Sequence, residues 1–313
     1  TISDFKNGIS KIHSPGLNAI YADIDNNIAW WSCARLLQWN DGVNTKAIMN
    51  GSSGQDDPIG TLPFFLNPKQ INPPNGIVYS ANSQPMQPDS SLYPGYYVPE
   101  SRADQIKKEL LLARDWDCDN MKKLLLNTSN DVDLENAFYL ERKLRESKTS
   151  FTTLEQMAMT HLRKWEGNYG IESTGASIYQ HLHYNLMSSA FLDEITNQQF
   201  DQMNRLHWMK RLGIELIRNP EHSIWDQVDT DETEHLEDLL DEAFQLTVQQ
   251  FFDLYGPNPE NWAWGKIHTL EFNHPMAAGE SLFKNIYNLG PVPSPGGNET
   301  ILQGGYVPQE LPE

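Results

Sequence analysis

Apolar and polar positions change their rhythm near residue 100. Before that point the apolar runs are short and alternate with turn residues. Asn18-Ala19-Ile20-Tyr21-Ala22 and Ile28-Ala29-Trp30-Trp31 predict two strands. Asp25-Asn26-Asn27 between them predicts a turn, because Asn and Asp tolerate left-handed backbone. Ile77-Val78-Tyr79-Ser80-Ala81 predicts a third short strand. Residues 40–76 are rich in loop formers and include the turn Gly51-Ser52-Ser53-Gly54. At the start of the chain, Ser3, Asp4, Lys6 and Gly8 give a polar helix or turn.

From Ser101 the spacing is helical. Ile106, Leu110 and Leu111 share a face of one predicted helix. Thr152 and Glu155 have the spacing of a capping box, in which each side chain binds the other's backbone N–H. They open a helix whose apolar face is Leu154, Met157, Ala158, Leu162 and Trp165. Asp231 is a candidate cap for a third helix, with the stripe Leu236, Leu239, Leu240, Phe244, Val248, Phe251 and Phe252. Loop texture returns after Gly256-Pro257, and the tail from Leu289 is rich in Gly and Pro. Strands first, helices next and a mixed end predict an α+β fold.

Composition narrows the class. With 39% hydrophobic and 21% charged residues, the 313-residue chain can build a sizeable core. Forty-two acidic against 23 basic residues give a net charge of -19, which repels phosphate backbones and excludes nucleic acid as a partner. The helix carrying Glu237, Asp238, Asp241 and Glu242 on its solvent face supplies part of that charge. No apolar run is long enough for a membrane span. Cys33 and Cys118 do not make a disulfide framework; they read as isolated buried thiols, with a single pairing as the alternative. The opening Thr1-Ile2-Ser3-Asp4-Phe5 enters patterned sequence directly, as if cut from a longer chain.

Several candidate chemistries can be weighed. An N-terminal threonine can act as a nucleophile, but the polar segment after Thr1 does not read as the buried strand that such a nucleophile needs. His181 and His183 are two apart and point to different faces of a helix; His268 and His274 flank a strand-like segment. No metal-ligand spacing occurs, and no GxSxG elbow. Asn82 follows a predicted strand, a place from which a side-chain amide can donate to an oxyanion. Arg102 lies in the first turn of a helix, where the dipole disfavours a cation, so it has either a specific partner or a solvated surface position.

In this order the motifs resemble the penicillin acylase family of N-terminal-nucleophile hydrolases. Tyr21-Ala22-Asp23 with Asn26-Asn27-Ile28-Ala29-Trp30 resembles the family's strand-turn-strand signature, with Asn26 in place of its turn glycine. Leu62-Pro63-Phe64 through Asn72-Pro73-Pro74-Asn75-Gly76 resembles its proline-rich approach to the active site. Ala81-Asn82-Ser83-Gln84-Pro85 resembles its Ala-Asn-Asn-x-Pro element, and Ser101-Arg102-Ala103-Asp104-Gln105-Ile106 its arginine helix. Trp262-Ala263-Trp264-Gly265-Lys266-Ile267-His268 and Asn273-His274-Pro275 resemble motifs that follow, with Gly290-Pro291 and Gly296-Gly297-Asn298 after them.

The resemblance implies a segment of the large subunit of an amidohydrolase that cleaves linear amides through a serine acyl-enzyme, with the serine outside this chain. It implies part of an αββα core with a small β-rich lobe and a large helical lobe. Core strands would occupy 1–30, the β-rich lobe 31–76, the active-site strand and proline-rich loop 77–100, the helical lobe 101–260, and a return to the core 261–313. It assigns the oxyanion-hole asparagine to Asn82, with Ser83 where the family often has a second asparagine, and the active-site arginine to Arg102, whose guanidinium it directs towards Asn82. Leu17 falls near a residue that lines the acyl pocket. Replacing Asn82 by Ala would then lower turnover and leave folding little changed. Some members bind calcium, but its ligands have no clear counterpart here apart from Asp89, so no cofactor is carried over. The implied partners are the rest of the large subunit, the small subunit of a processed precursor and a small-molecule amide, in a periplasmic or secreted setting. The rival reading is a catalytically inactive helical binding or scaffold relative, and a weaker one is a self-contained enzyme using Thr1.

Overall fold

The computed structural model describes residues 1–112, 115–277, 284 and 286–306, without the side chains of 207 and 208. The chain is α+β and forms two compact units, Thr1–Arg114 and Asp115–Glu313.

In the first unit, helix α1 (Ile2–Ile9) is capped by Thr1, whose hydroxyl accepts from the Asp4 N–H while the Asp4 carboxylate returns to the Thr1 amine. Strands β1 (Leu17–Ala22) and β2 (Ile28–Cys33) form the expected hairpin, with Leu17 opposite Cys33 and Ala22 opposite Ile28. Asn26 takes the turn at φ 62°, so its side chain does the work of a glycine. Asp23 clamps the turn by accepting from the backbone N–H groups of Asp25 and Asn27. After the short pair β3 (Leu37–Gln38) and β4 (Gly60–Thr61), strand β5 (Lys69–Ile71) adds to the other edge of β2. The pleat sends Ala29, Trp31 and Cys33 into a small core with Ile9, against which Phe5, Ala19 and Tyr21 pack. Trp30 is therefore sent to the opposite face.

One expected strand is absent. Ile77–Ala81 has the composition of a strand, but none of the described residues pairs with it. Side-chain preference favours extended backbone, whereas a strand also needs a neighbour to complete its hydrogen bonds. The expected helix exists as α2 (Ser101–Leu112) and belongs to the first unit.

The second unit is built on helices α3 (Cys118–Leu125), α4 (Asp131–Ser147), α5 (Thr153–Lys164), α6 (Thr174–Phe191), α7 (Asn197–Asn204), α8 (His207–Ile217) and α9 (Leu236–Tyr255). The short helix α10 (Trp264–Ile267) and the hairpin β6 (Thr269–Phe272) and β7 (Leu289–Pro293) follow. Helix α6 is central and buried on most of its sides, packing on α5 and α9. The Thr152–Glu155 capping box forms as expected. Glu155 also accepts from Lys148, which reaches Asp241 on α9, so one ammonium ties three helices together. Three expected positions differ. Met157 is 41% exposed and Met159 takes its place in the core. Phe252 sits on the rim of the α9 stripe at 40% exposure. His235, not Asp231, caps α9, in a box with Asp238, because the helix begins four residues later than Asp231 would set it. Cys33 and Cys118 are free thiols, the first buried and the second exposed at the start of α3.

Two interior features carry measurable consequences. A Cβ on Gly175 would lie 2.4 Å from the Trp165 Cβ, so Gly175 lets the start of α6 reach that ring. Alanine normally favours a helix over glycine by about 1 kcal/mol, but overpacking costs about 1–3 kcal/mol. Gly175→Ala is therefore expected to lower the unfolding free energy, and an unchanged or raised value in denaturant titration would contradict this packing.

The second feature is a set of enclosed titratable groups. Asp133 accepts from Tyr169 Oη at 2.6 Å, Tyr179 Oη at 3.2 Å and Asn130 Nδ2 at 2.9 Å. Burial outweighs these donors and pushes its carboxyl up to about 6. Burial pushes His181 and His183 down to about 4. The histidines stabilise the fold fully above their ordinary range near 6.5, and that contribution is lost as pH falls towards 4. Asp133 acts in the opposite direction: its contribution is complete below the ordinary carboxyl value and lost as pH rises through about 6. Two histidines oppose one carboxyl, so acidification destabilises this unit. Asp133→Asn removes the opposing group, and its Tm should fall more steeply than that of the parent between pH 7 and 4.5 (roughly the window these groups span). Parallel Tm profiles would refute the assignment.

Candidate active site

Asn82 and Arg102 meet in the first unit. Arg102 Nη2 donates to Asn82 Oδ1 at 2.7 Å and to the Ala81 carbonyl at 2.8 Å. The loop between them folds back on itself. The Tyr93 N–H bonds the Pro85 carbonyl, Gln84 Nε2 bonds the Tyr93 carbonyl, and the Gln87 N–H bonds the Ser91 carbonyl. Tyr93 Oη donates to the Leu37 carbonyl and pins the loop to the start of β3. The guanidinium thus points to Asn82, and the alternative of a solvated surface arginine falls.

Magnitudes explain why Arg102 can stand at a helix start. The dipole opposes a cation there by about 0.3–1 kcal/mol, while a hydrogen bond from a charged donor contributes about 1.5–3 kcal/mol. Two such bonds outweigh the dipole. Arg102 Nε is buried and has no acceptor among the described residues.

The pairing also fixes the orientation of the Asn82 amide. Arginine has donors only, so the atom that meets it is the amide oxygen. Asn82 Nδ2 is left directed away from the guanidinium, on an exposed residue, as a donor without a partner among the described residues. The Asn82 backbone is left-handed, at φ 61°, immediately after Ala81, which is 1% exposed. This kink turns the chain out of the interior and presents the side chain.

Ser80 and Ser83, which bracket the kink, line an open pocket of about 470 Å³ together with Trp30, Gln70, Tyr79 and Met86. Asn82, Arg102 and Leu17 are not among its lining residues. Leu17 is instead 49% exposed at the start of β1. Two adjacent tryptophans on one strand were the signal for Trp30: with a period of two, only one of them can face the core.

The remaining candidates have structural partners. The Thr1 hydroxyl is engaged with Asp4. His181 Nε2 meets Tyr306 Oη at 2.8 Å, and His268 Nδ1 lies 2.6 Å from the Ser294 carbonyl, to which it must donate. His274 Nδ1 accepts from the Met276 N–H and fixes its loop. Asp89 accepts from the Ser91 hydroxyl and N–H, which hold its carboxyl below the ordinary range. Among the described residues no three His, Cys, Asp or Glu side chains group closely together.

Residues 1–311 match the family model described as penicillin amidase. The chain belongs to the penicillin amidase family. Its curated relatives include the acyl-homoserine lactone acylase QuiP of Pseudomonas aeruginosa, 22% identical over 98% of this chain and 39% of the relative. Penicillin acylase 2 proenzyme of a Pseudomonas species is 25% identical over 84% of this chain and 33% of its own length. The chain thus spans roughly a third to two-fifths of these relatives. Among solved structures, a thermostable penicillin G acylase from Alcaligenes faecalis aligns with a TM-score of 0.61 at 16% identity, over 83% of this chain and 50% of that one. Membership of the penicillin amidase family and the likeness to that solved structure account for the fold.

The left-handed backbone at Asn82 gives the Asn82→Ala exchange a stability cost of its own. A Cβ residue without a polar side chain is disfavoured in this conformation by about 1–2 kcal/mol, whereas glycine is not. Asn82→Ala should lower stability by about that amount and Asn82→Gly by less. Equal losses in denaturant titrations would show that the strain is absent.

Proposed function

We propose that this chain is a segment of a penicillin-acylase-type amidohydrolase that cleaves linear amides through a serine acyl-enzyme, the serine lying outside this chain. The observation that carries the reading is an asparagine amide held by its oxygen, with its N–H side presented, in a chain of this family. In the reaction the serine oxygen adds to the amide carbonyl, and its proton passes to the serine's own amine. The carbonyl oxygen gains negative charge, which Asn82 Nδ2–H stabilises. Collapse expels the amine with that proton and leaves the acyl ester. Water then adds to the ester and releases the carboxylic acid. Arg102 is a positioning residue in this scheme. By occupying Oδ1 it keeps the amide from rotating its acceptor towards the oxyanion, and its charge polarises the N–H bonds.

In the same reading the rest of the large subunit and a small subunit complete the site, in a periplasmic or secreted protein. The partition into core, β-rich lobe and helical lobe goes with that assembly, and Leu17 lines the acyl pocket only within it. The 22–25% identity to acylases over most of the chain supports an enzyme over an inactive binding relative.

The test uses the full-length processed protein. Asn82→Gly keeps the left-handed backbone and removes the donor, so it separates chemistry from folding. Its kcat should fall about 100- to 1000-fold on a phenylacetyl or acyl-homoserine-lactone amide, the effect of losing one oxyanion donor, with a smaller change in KM. An unchanged kcat sinks the assignment of Asn82. A parent protein that is correctly processed and hydrolyses no amide supports the binding relative instead.

A further inference from the structure

The second unit holds a pocket of about 390 Å³ between α6, α7 and α9, away from the residues of the candidate active site in sequence. Its floor is Tyr184, Phe200 and Asn185, all buried, with the two rings 5.7 Å apart. Leu192 and Leu246 form apolar walls that are 37% and 47% exposed. The helical spacing places these groups together: Tyr184, Ser188 and Leu192 follow one face of α6 and its C-cap, Asn197, Phe200 and Asp201 one face of α7, and Leu246 and Gln250 one face of α9.

The polar groups have a defined sense. Asn185 Nδ2 donates to Thr247 Oγ1 at 2.9 Å and to Gln250 Oε1 at 3.0 Å. Both of its N–H groups are used, so Asn185 can offer a ligand only its carbonyl oxygen. Asn185 itself is 3% exposed and thus fixed in the floor. Asp201, on the exposed side of α7, adds a carboxylate at the mouth. None of the lining residues is a lysine, arginine or histidine among the described residues. The net charge of -19 extends the same sign over the whole chain. Aromatic rings below, an acceptor in the floor and a carboxylate at the rim suit a small organic cation with an apolar body.

We propose that this pocket is a second binding site, which takes a primary ammonium attached to an aromatic or aliphatic body of roughly benzyl size. The ammonium donates to Asn185 Oδ1 or Asp201, and the apolar part lies on Tyr184 and Phe200 between the two leucines. The inference stands independently of the amidohydrolase reading, because it concerns binding to the helical unit and not turnover.

Saturation-transfer NMR on the whole chain tests it with three benzyl-bearing probes at pH 7: benzylamine as its ammonium, benzyl alcohol and phenylacetate. The ammonium should bind most tightly and phenylacetate most weakly. Asp201→Asn should weaken the ammonium about two- to fivefold, the size of one exposed ion pair, and leave benzyl alcohol unchanged. Leu246→Trp, at a half-exposed rim position, should fill the mouth and abolish transfer to all three, with circular dichroism confirming the fold. Absence of binding by benzylamine overturns the proposal. So does equal binding of the three probes, or binding that survives Leu246→Trp.

Discussion

An arginine in the first turn of a helix works against the helix's own field, and in the first unit two oxygen acceptors reverse that balance. Arg102 reaches back across a 20-residue separation to Asn82 Oδ1 and the Ala81 carbonyl. Those bonds hold the start of α2 against a segment that has no strand partner among the described residues. They also decide which side of the Asn82 amide is presented. A left-handed asparagine can accept or donate with equal ease; only a neighbour with donors and no acceptors forces one outcome. Position and chemistry of the site therefore come from the same pair of bonds.

The second unit is organised by different physics. Several of its enclosed polar groups tie one element to another. Asp133 joins the start of α4 to Tyr169 and to Tyr179 of α6, Asn185 joins α6 to α9, and Lys148 joins the end of α4 to α5 and α9. Trp264 Nε1 donates to the Gly296 carbonyl and Trp262 Nε1 to the Gly256 carbonyl. The tryptophans of this motif therefore anchor loops through their nitrogen atoms while their rings fill the core. This explains why the histidines among them are core groups: a neutral imidazole with one partner fits a close-packed interior better than a charged ligand set does.

Local patterns were legible wherever one segment determines its own structure. The hairpin around Asn26 and the capping box at Thr152 need only neighbouring residues, and both stand as the sequence reads. The amphipathic stripe of α9 was legible too, although its start moved to His235 because Asp238 offered a better box than Asp231. What failed depends on distant neighbours. Ile77–Ala81 has strand composition without a strand to pair with, and Met157 shares an apolar stripe whose edge is open to solvent. In the site, Arg102 and Asn82 were legible mainly through the family resemblance; the helix-start cation by itself left a partner and a surface position equally open. Trp30 and Tyr79 were not, because lining a pocket requires no particular residue type.

The same distinction bears on how the site evolves its specificity. Asn82 and Arg102 interact through fixed donors and acceptors, so exchange of either alters the presented amide. The pocket flanked by Ser80 and Ser83 is lined mainly by neutral polar groups, with Trp30, Met86 and Lys69 among the rest. Methionine refills irregular space readily, and glutamine presents either a donor or an acceptor. Substitutions there can change what fits beside Asn82 while the Arg102 bonds keep its geometry.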